Sequence, residues 1–124
     1  MKQYLTHKWL TTAISFTLLI GSVVTPAHGS IVSDKPTRSQ ILTALRLMSY
    51  DYEEYLCNKE IVRKESNYDT SSRTGSHYGL PQGRSLYLKS ATYTQQLHWM
   101  IRYIRSRYGD GCEALQHHKK HNWY

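Results

Sequence analysis

The chain has 124 residues, with 16 Lys and Arg against 9 Asp and Glu and a formal net charge of +7. That length holds one small domain rather than two once any leader is removed. The basic balance favours anionic polymers as partners. The basic residues are scattered rather than striped and no nucleic-acid motif accompanies them, so nucleic acid is not the expected partner.

The N-terminus carries the pattern of a secretory signal peptide. Lys2 and Lys8 supply the positive start, and Trp9 to Val24 contains no charge and is strongly apolar. Pro26 then breaks the segment, and Ala27-His28-Gly29 places small residues where a signal peptidase reads. The expectation is a leader over 1–29, with cleavage after Gly29 or, alternatively, after Ala27. The rival is a membrane anchor, because the run approaches the ~17 residues of a short span. Its threonines, serine and glycine, and the cleavage pattern that follows at once, favour export. Membrane contact is then expected only through the uncleaved leader.

Residues 30–39 read as a flexible lead-in, with Ser, Asp and Pro, and 40–124 as the folded domain. Ile41, Leu42, Leu45, Met48, Tyr52 and Tyr55 recur at three- and four-residue intervals, the period of an amphipathic helix. Cys57, Ile61 and Glu65 follow at i, i+4 and i+8, so a second helical segment turns all three to one face. Residues 67–85 are rich in Ser, Gly, Thr and Asp and read as loop. A third helix runs from Thr94, with Leu97, Ile101, Ile104 and Tyr108 as its stripe and Gly109 at its stop. Residues 114–118 add a short turn of helix. No alternating pattern is long enough for a sheet, so the class is small all-α, with room for a short hairpin in the central loop.

Cys57 and Cys112 both follow the leader, and pairing them is the simplest reading in an oxidising compartment. A redox pair would need Cys-x-x-Cys, and a zinc site needs closer ligands. Closing so long a loop is worth about 4 kcal/mol in the chain-entropy picture. His117 and His121 stand at i, i+4 without a carboxylate or cysteine framework. They and His118 therefore read as a solvated basic helix end, and no metal or other cofactor is expected.

Glu65 is the candidate for chemistry. Its stripe with Ile61 and Cys57 would desolvate the carboxyl, disfavour its charge and let it hold a proton near neutral pH. A general acid needs that property. A solvated glutamate at a helix end satisfies the periodicity equally well, so spacing alone stops short of a function.

The run Glu65-Ser66-Asn67-Tyr68-Asp69 resembles the Glu-Ser-x-aromatic-Asn/Asp signature of lytic transglycosylases and related lysozyme-like domains. Tyr78-Gly79-Leu80-Pro81-Gln82 resembles the Gly-Leu-x-Gln motif that this family places opposite its catalytic glutamate. Trp99, Tyr103-Ile104, Arg107-Tyr108-Gly109, Cys112, Ala114 and Trp123-Tyr124 resemble the tail of small secreted members. The likeness covers about residues 57 to 124 in order and register. The chain departs from the pattern at Ser76-His77, where many members have Gly-Ala. It also has Ala114-Leu115-Gln116-His117-His118 in place of the family's Ala-Tyr-Asn-Ala-Gly motif.

The resemblance implies a small lysozyme-like helical domain, monomeric and without cofactor, that cleaves peptidoglycan glycan strands. Glu65 would be its single catalytic acid/base, and Ser66, Tyr78, Gln82 and Tyr103 would contact substrate. It also implies that Cys57 and Cys112 lie beside the Glu65 helix and the closing segment. Asp69 is expected to form a turn rather than to act as a second carboxylate. The alternatives are a non-catalytic wall- or polyanion-binding protein on the same scaffold and a small cationic membrane-active protein. The absence of a long basic amphipathic helix after the leader disfavours the latter.

Overall fold

A computed structural model describes residues 34–124, which form four α-helices, one two-stranded hairpin and a 3₁₀ turn. The leader expected over 1–29, its cleavage sites and the first residues of the lead-in lie outside the described residues. The domain is small and all-α, with one disulfide. Among the described residues no helix is long and apolar enough to cross a membrane.

Helix α1 spans Arg38–Met48, so the last two residues of the 30–39 lead-in belong to it. Thr37 starts it with a capping box: its hydroxyl accepts the Gln40 N–H while the Gln40 side chain takes the Thr37 N–H. Two of the four unpaired amides at the helix start are thereby satisfied. Ile41 and Leu45 are fully buried.

The apolar stripe from Ile41 to Tyr55 does not lie on one helix. Ser49 ends α1, its backbone N–H and its hydroxyl both donating to Leu45 O. Asp51 then starts α2, which spans Tyr52–Ser66, by accepting the Glu54 N–H at 2.8 Å. Serine and aspartate compete for backbone groups in this way, which makes them cap residues. Arg105 braces the corner, donating to Met48 O at 3.0 Å and lying over the Tyr50 ring.

Helix α2 ends where Asn67 adopts left-handed backbone. The central loop holds the hairpin, with β1 (Arg73–Thr74) antiparallel to β2 (His77–Tyr78). The 3₁₀ turn follows over Leu86–Lys89, where the sequence pattern gave no periodic signal. Helix α3 spans Tyr93–Arg107, capped by a second capping box at Thr92 and Gln95. It buries Leu97, Met100, Ile101 and Ile104, and Gly109 beyond its end has a positive φ of 94°. Helix α4 spans Gly111–His121, much longer than the turn expected over 114–118. Asp110 caps it by accepting the N–H groups of Cys112 and Glu113.

Helix α1 packs on α3 and α2, and α2 packs most extensively on α4. The core between them includes Ile61, Val62, Leu80 and Ala114. The Cys57–Cys112 disulfide fastens α2 to α4.

Candidate active site

Glu65 lies in the last turn of α2, facing α4 and the hairpin rather than solvent. It opens on a cavity of about 260 Å³, lined also by Thr74, His77, Gln82, Asn122, Trp123 and Tyr124. The hairpin and the loop after it form one wall, and the residues following α4 form the other. Two larger grooves, of about 650 and 420 Å³, run along α1, and no carboxylate lines either of them.

The nearest partner of Glu65 comes from α4. His118 Nε2 lies 2.6 Å from Glu65 Oε1, and the two side chains are only 10 % and 18 % exposed. Burial raises the Glu65 carboxyl above its ordinary range, while His118, through its hydrogen bond and charge, and His77 oppose that rise. Desolvation wins because the charged form has lost water on most sides. The other ring nitrogen of His118, Nδ1, is buried without a partner.

Tyr124 closes the cavity. Its hydroxyl donates to Pro81 O at 2.8 Å, and its ring lies 6.3 Å from that of His118, centroid to centroid. Burial pushes the phenol well above its ordinary range, and the nearby Glu65 charge acts in the same direction. The phenol therefore stays protonated and serves as a donor.

The residues expected to contact substrate fall in different places. Gln82 lines the cavity. Its Nε2 is held by Ser72 O and Gly79 O at 3.0 and 2.9 Å, leaving a buried Oε1 without a partner. Ser66 does not line the cavity; its hydroxyl bonds back to Val62 O at 3.1 Å, a helix-end role. Tyr78 lines a separate recess with Gly79, Leu88 and Lys89, and its ring lies beneath the Arg73 guanidinium. Tyr103 on α3 stacks on Trp99, meets the edge of the Tyr124 ring and donates its hydroxyl to Tyr124 O at 3.4 Å, so it touches the site only through Tyr124. Asp69 forms the expected turn, its Oδ1 accepting the Ser71 N–H at 2.9 Å.

His118 is the residue the sequence reading misplaced. It is 8 % exposed, not part of a solvated helix end. Its signal was present: Ala114 and Leu115, both buried, precede it by one turn on the same face of α4. His117 and His121 lie outside this pair, their rings in tilted contact at 4.3 Å between centroids. Among the described residues, no group of three or more His, Cys, Asp or Glu is placed to hold a metal ion. Comparison with protein-family models, curated proteins and solved structures gives no match to this chain.

Proposed function

We propose that this chain cleaves the β-1,4 bond between N-acetylmuramic acid and N-acetylglucosamine in peptidoglycan, as an exported lytic transglycosylase. The observation that carries this reading is Glu65, a largely buried carboxyl with a raised pKa at the floor of a polar cavity. The resemblance of its flanking residues to the family signature supplies the substrate class. The disulfide fits an oxidising compartment outside the cytoplasm.

Protonated Glu65 donates to the leaving glycosidic oxygen, and the C1–O bond breaks with its electron pair going to that oxygen. Positive charge develops at the anomeric carbon. No second Asp or Glu lines the cavity, so the usual paired carboxylates are not available there. The N-acetyl group of the substrate stabilises the charge instead, as the resemblance implies. Ionised Glu65 then removes the proton of the muramyl 6-hydroxyl, closing a 1,6-anhydro ring, or of water, giving hydrolysis. Gln82 lines the same cavity, and the resemblance puts it near the bound sugar.

The test is incubation of the purified protein with peptidoglycan and mass spectrometry of the soluble products. Anhydro-muropeptides support transglycosylation, and hydrated ends support hydrolysis. Protein that pellets with peptidoglycan while releasing nothing is a wall-binding protein, and the catalytic reading is then wrong.

A further inference from the structure

We propose that His118 is the positioning residue of this site: its Nε2–H donates to Oε1 of Glu65 and thereby fixes the transferable proton on Oε2. The proposal rests on the reading of Glu65 as the acid, but its central claim concerns tautomer and hydrogen bonding and can be measured without turnover.

When the ring is neutral and the carboxyl protonated, as a general acid requires, the contact has two arrangements. In the first, neutral His118 carries its proton on Nε2 and donates to Oε1. The bare Nδ1 then has only an unfilled lone pair in its buried position. In the second, His118 carries its proton on Nδ1, and Glu65 donates from Oε1 to Nε2. That arrangement leaves a buried N–H with no acceptor, since Nδ1 has no partner. An unpaired buried donor costs more than an unfilled acceptor. The first arrangement is therefore preferred at the 2.6 Å contact.

The consequence for proton transfer is direct. With Oε1 accepting from Nε2–H, the acidic hydrogen of Glu65 has only Oε2 to occupy, which leaves it for the glycan. In the second arrangement the same hydrogen would be spent on the imidazole. During reaction the proton leaves Oε2 for the glycosidic oxygen and a proton returns to Oε2 from the 6-hydroxyl or water. His118 exchanges none and holds the carboxylate that forms in between. The other titratable groups facing the pair are His77 from β2, Tyr124 from beyond α4, and His117 beside His118. Tyr124 stays protonated with its hydroxyl on Pro81 O, and His77 acts on Glu65 through charge rather than a hydrogen bond.

Two measurements test this. In wild-type protein with ¹⁵N-labelled histidine, the neutral form of the His118 ring should show a protonated Nε2 and a bare Nδ1. An Nδ1–H tautomer overturns the proposal. Second, the Glu65 carboxyl should be titrated by ¹³C NMR in His118→Gln and His118→Phe. Gln retains an N–H at the Nε2 position, whereas Phe removes it. Loss of a donor to a charged acceptor should raise the proton affinity of Glu65 about tenfold or more in the Phe variant. Gln should restore most of the difference. The alkaline limb of the activity profile should move to higher pH in His118→Phe while kcat falls more than KM changes. Equal Glu65 midpoints in wild type and a folded Phe variant overturn the proposal, as does a Gln variant that titrates like Phe. If the Phe variant fails to fold, the wild-type tautomer and the Gln titration decide alone. Midpoints that behave as stated in a protein that releases no fragments uphold the role of His118 and reject the proposed activity.

Discussion

Gln96 Oε1, on α3, accepts the backbone N–H of Leu80 at 2.8 Å, two residues before Gln82. The same amide donates from Nε2 to Thr70 O and Ala91 O at 3.1 and 3.0 Å, so one buried side chain gathers both ends of the central loop. Gln96→Leu would leave the Leu80 N–H and two carbonyls without partners. The expected loss is about 3 kcal/mol, since each buried unpaired group costs roughly 1–3 kcal/mol and water reaches some of them. Urea unfolding measures it, and an unchanged midpoint would show that the loop is held elsewhere.

Glu65→Gln should lower glycan release by about 10²- to 10⁴-fold, the usual worth of a positioned proton donor. It should also stabilise the protein at neutral pH. Because burial raises the Glu65 pKa, the folded state binds this proton more tightly than the unfolded chain. The resulting stability is full below the ordinary carboxylate range and is lost as pH rises through the raised folded value. Glutamine does not ionise, so the variant should match wild type in acid and melt higher at neutral pH. Thermal melts across a pH series check this. A variant that melts lower at neutral pH would mean that the Glu65 charge is stabilising.

Asp69→Asn is the matched control. Asp69 is half exposed, and hydrogen bonds from Ser71, with the charge of Lys35, hold its carboxyl below the ordinary range. Asparagine keeps an acceptor for the turn. Activity should remain near wild type and stability should change by about 0.5 kcal/mol or less. Loss of fragment release in a folded Asp69→Asn protein would make Asp69 the second carboxylate after all.

Replacing Cys57 or Cys112 by serine should cost about 2–5 kcal/mol, because the bond closes a 55-residue loop in a domain of marginal size. Either single variant and the double variant should melt alike. A single variant much less stable than the double would instead identify a buried unpaired thiol as the problem.

What the sequence made legible followed from local chemistry. Leu97, Ile101 and Ile104 repeat with helical period, and α3 runs under them to its stop before Gly109. Cys57, Ile61 and Glu65 share a face of α2 for the same reason. The break between α1 and α2 was hidden because the apolar spacing continues in phase across it. Only the bonds made by Ser49 and Asp51 reveal two helices. Glu65 was legible through its neighbours in sequence, whereas its partner lies 53 residues away. His118 sits in a run of basic residues that reads as solvated until α4 docks on α2. The hydroxyl of Tyr124 finds Pro81 O only once the whole domain is folded.

Helices α2 and α4 meet at Gly111, where a Cβ would collide with the side-chain amide of the fully buried Asn58. Even a single methyl there would push aside the Asn58 amide and its bond to Ser49 Oγ, at the seam of the two helices that carry Glu65 and His118. The seating of Glu65 against its positioning residue His118 thus depends in part on a residue with no side chain that does not line the cavity. Mutational sensitivity at this site should therefore not follow distance from the glycan. Gly111, which does not line the cavity, should be more sensitive to substitution than the exposed Leu47.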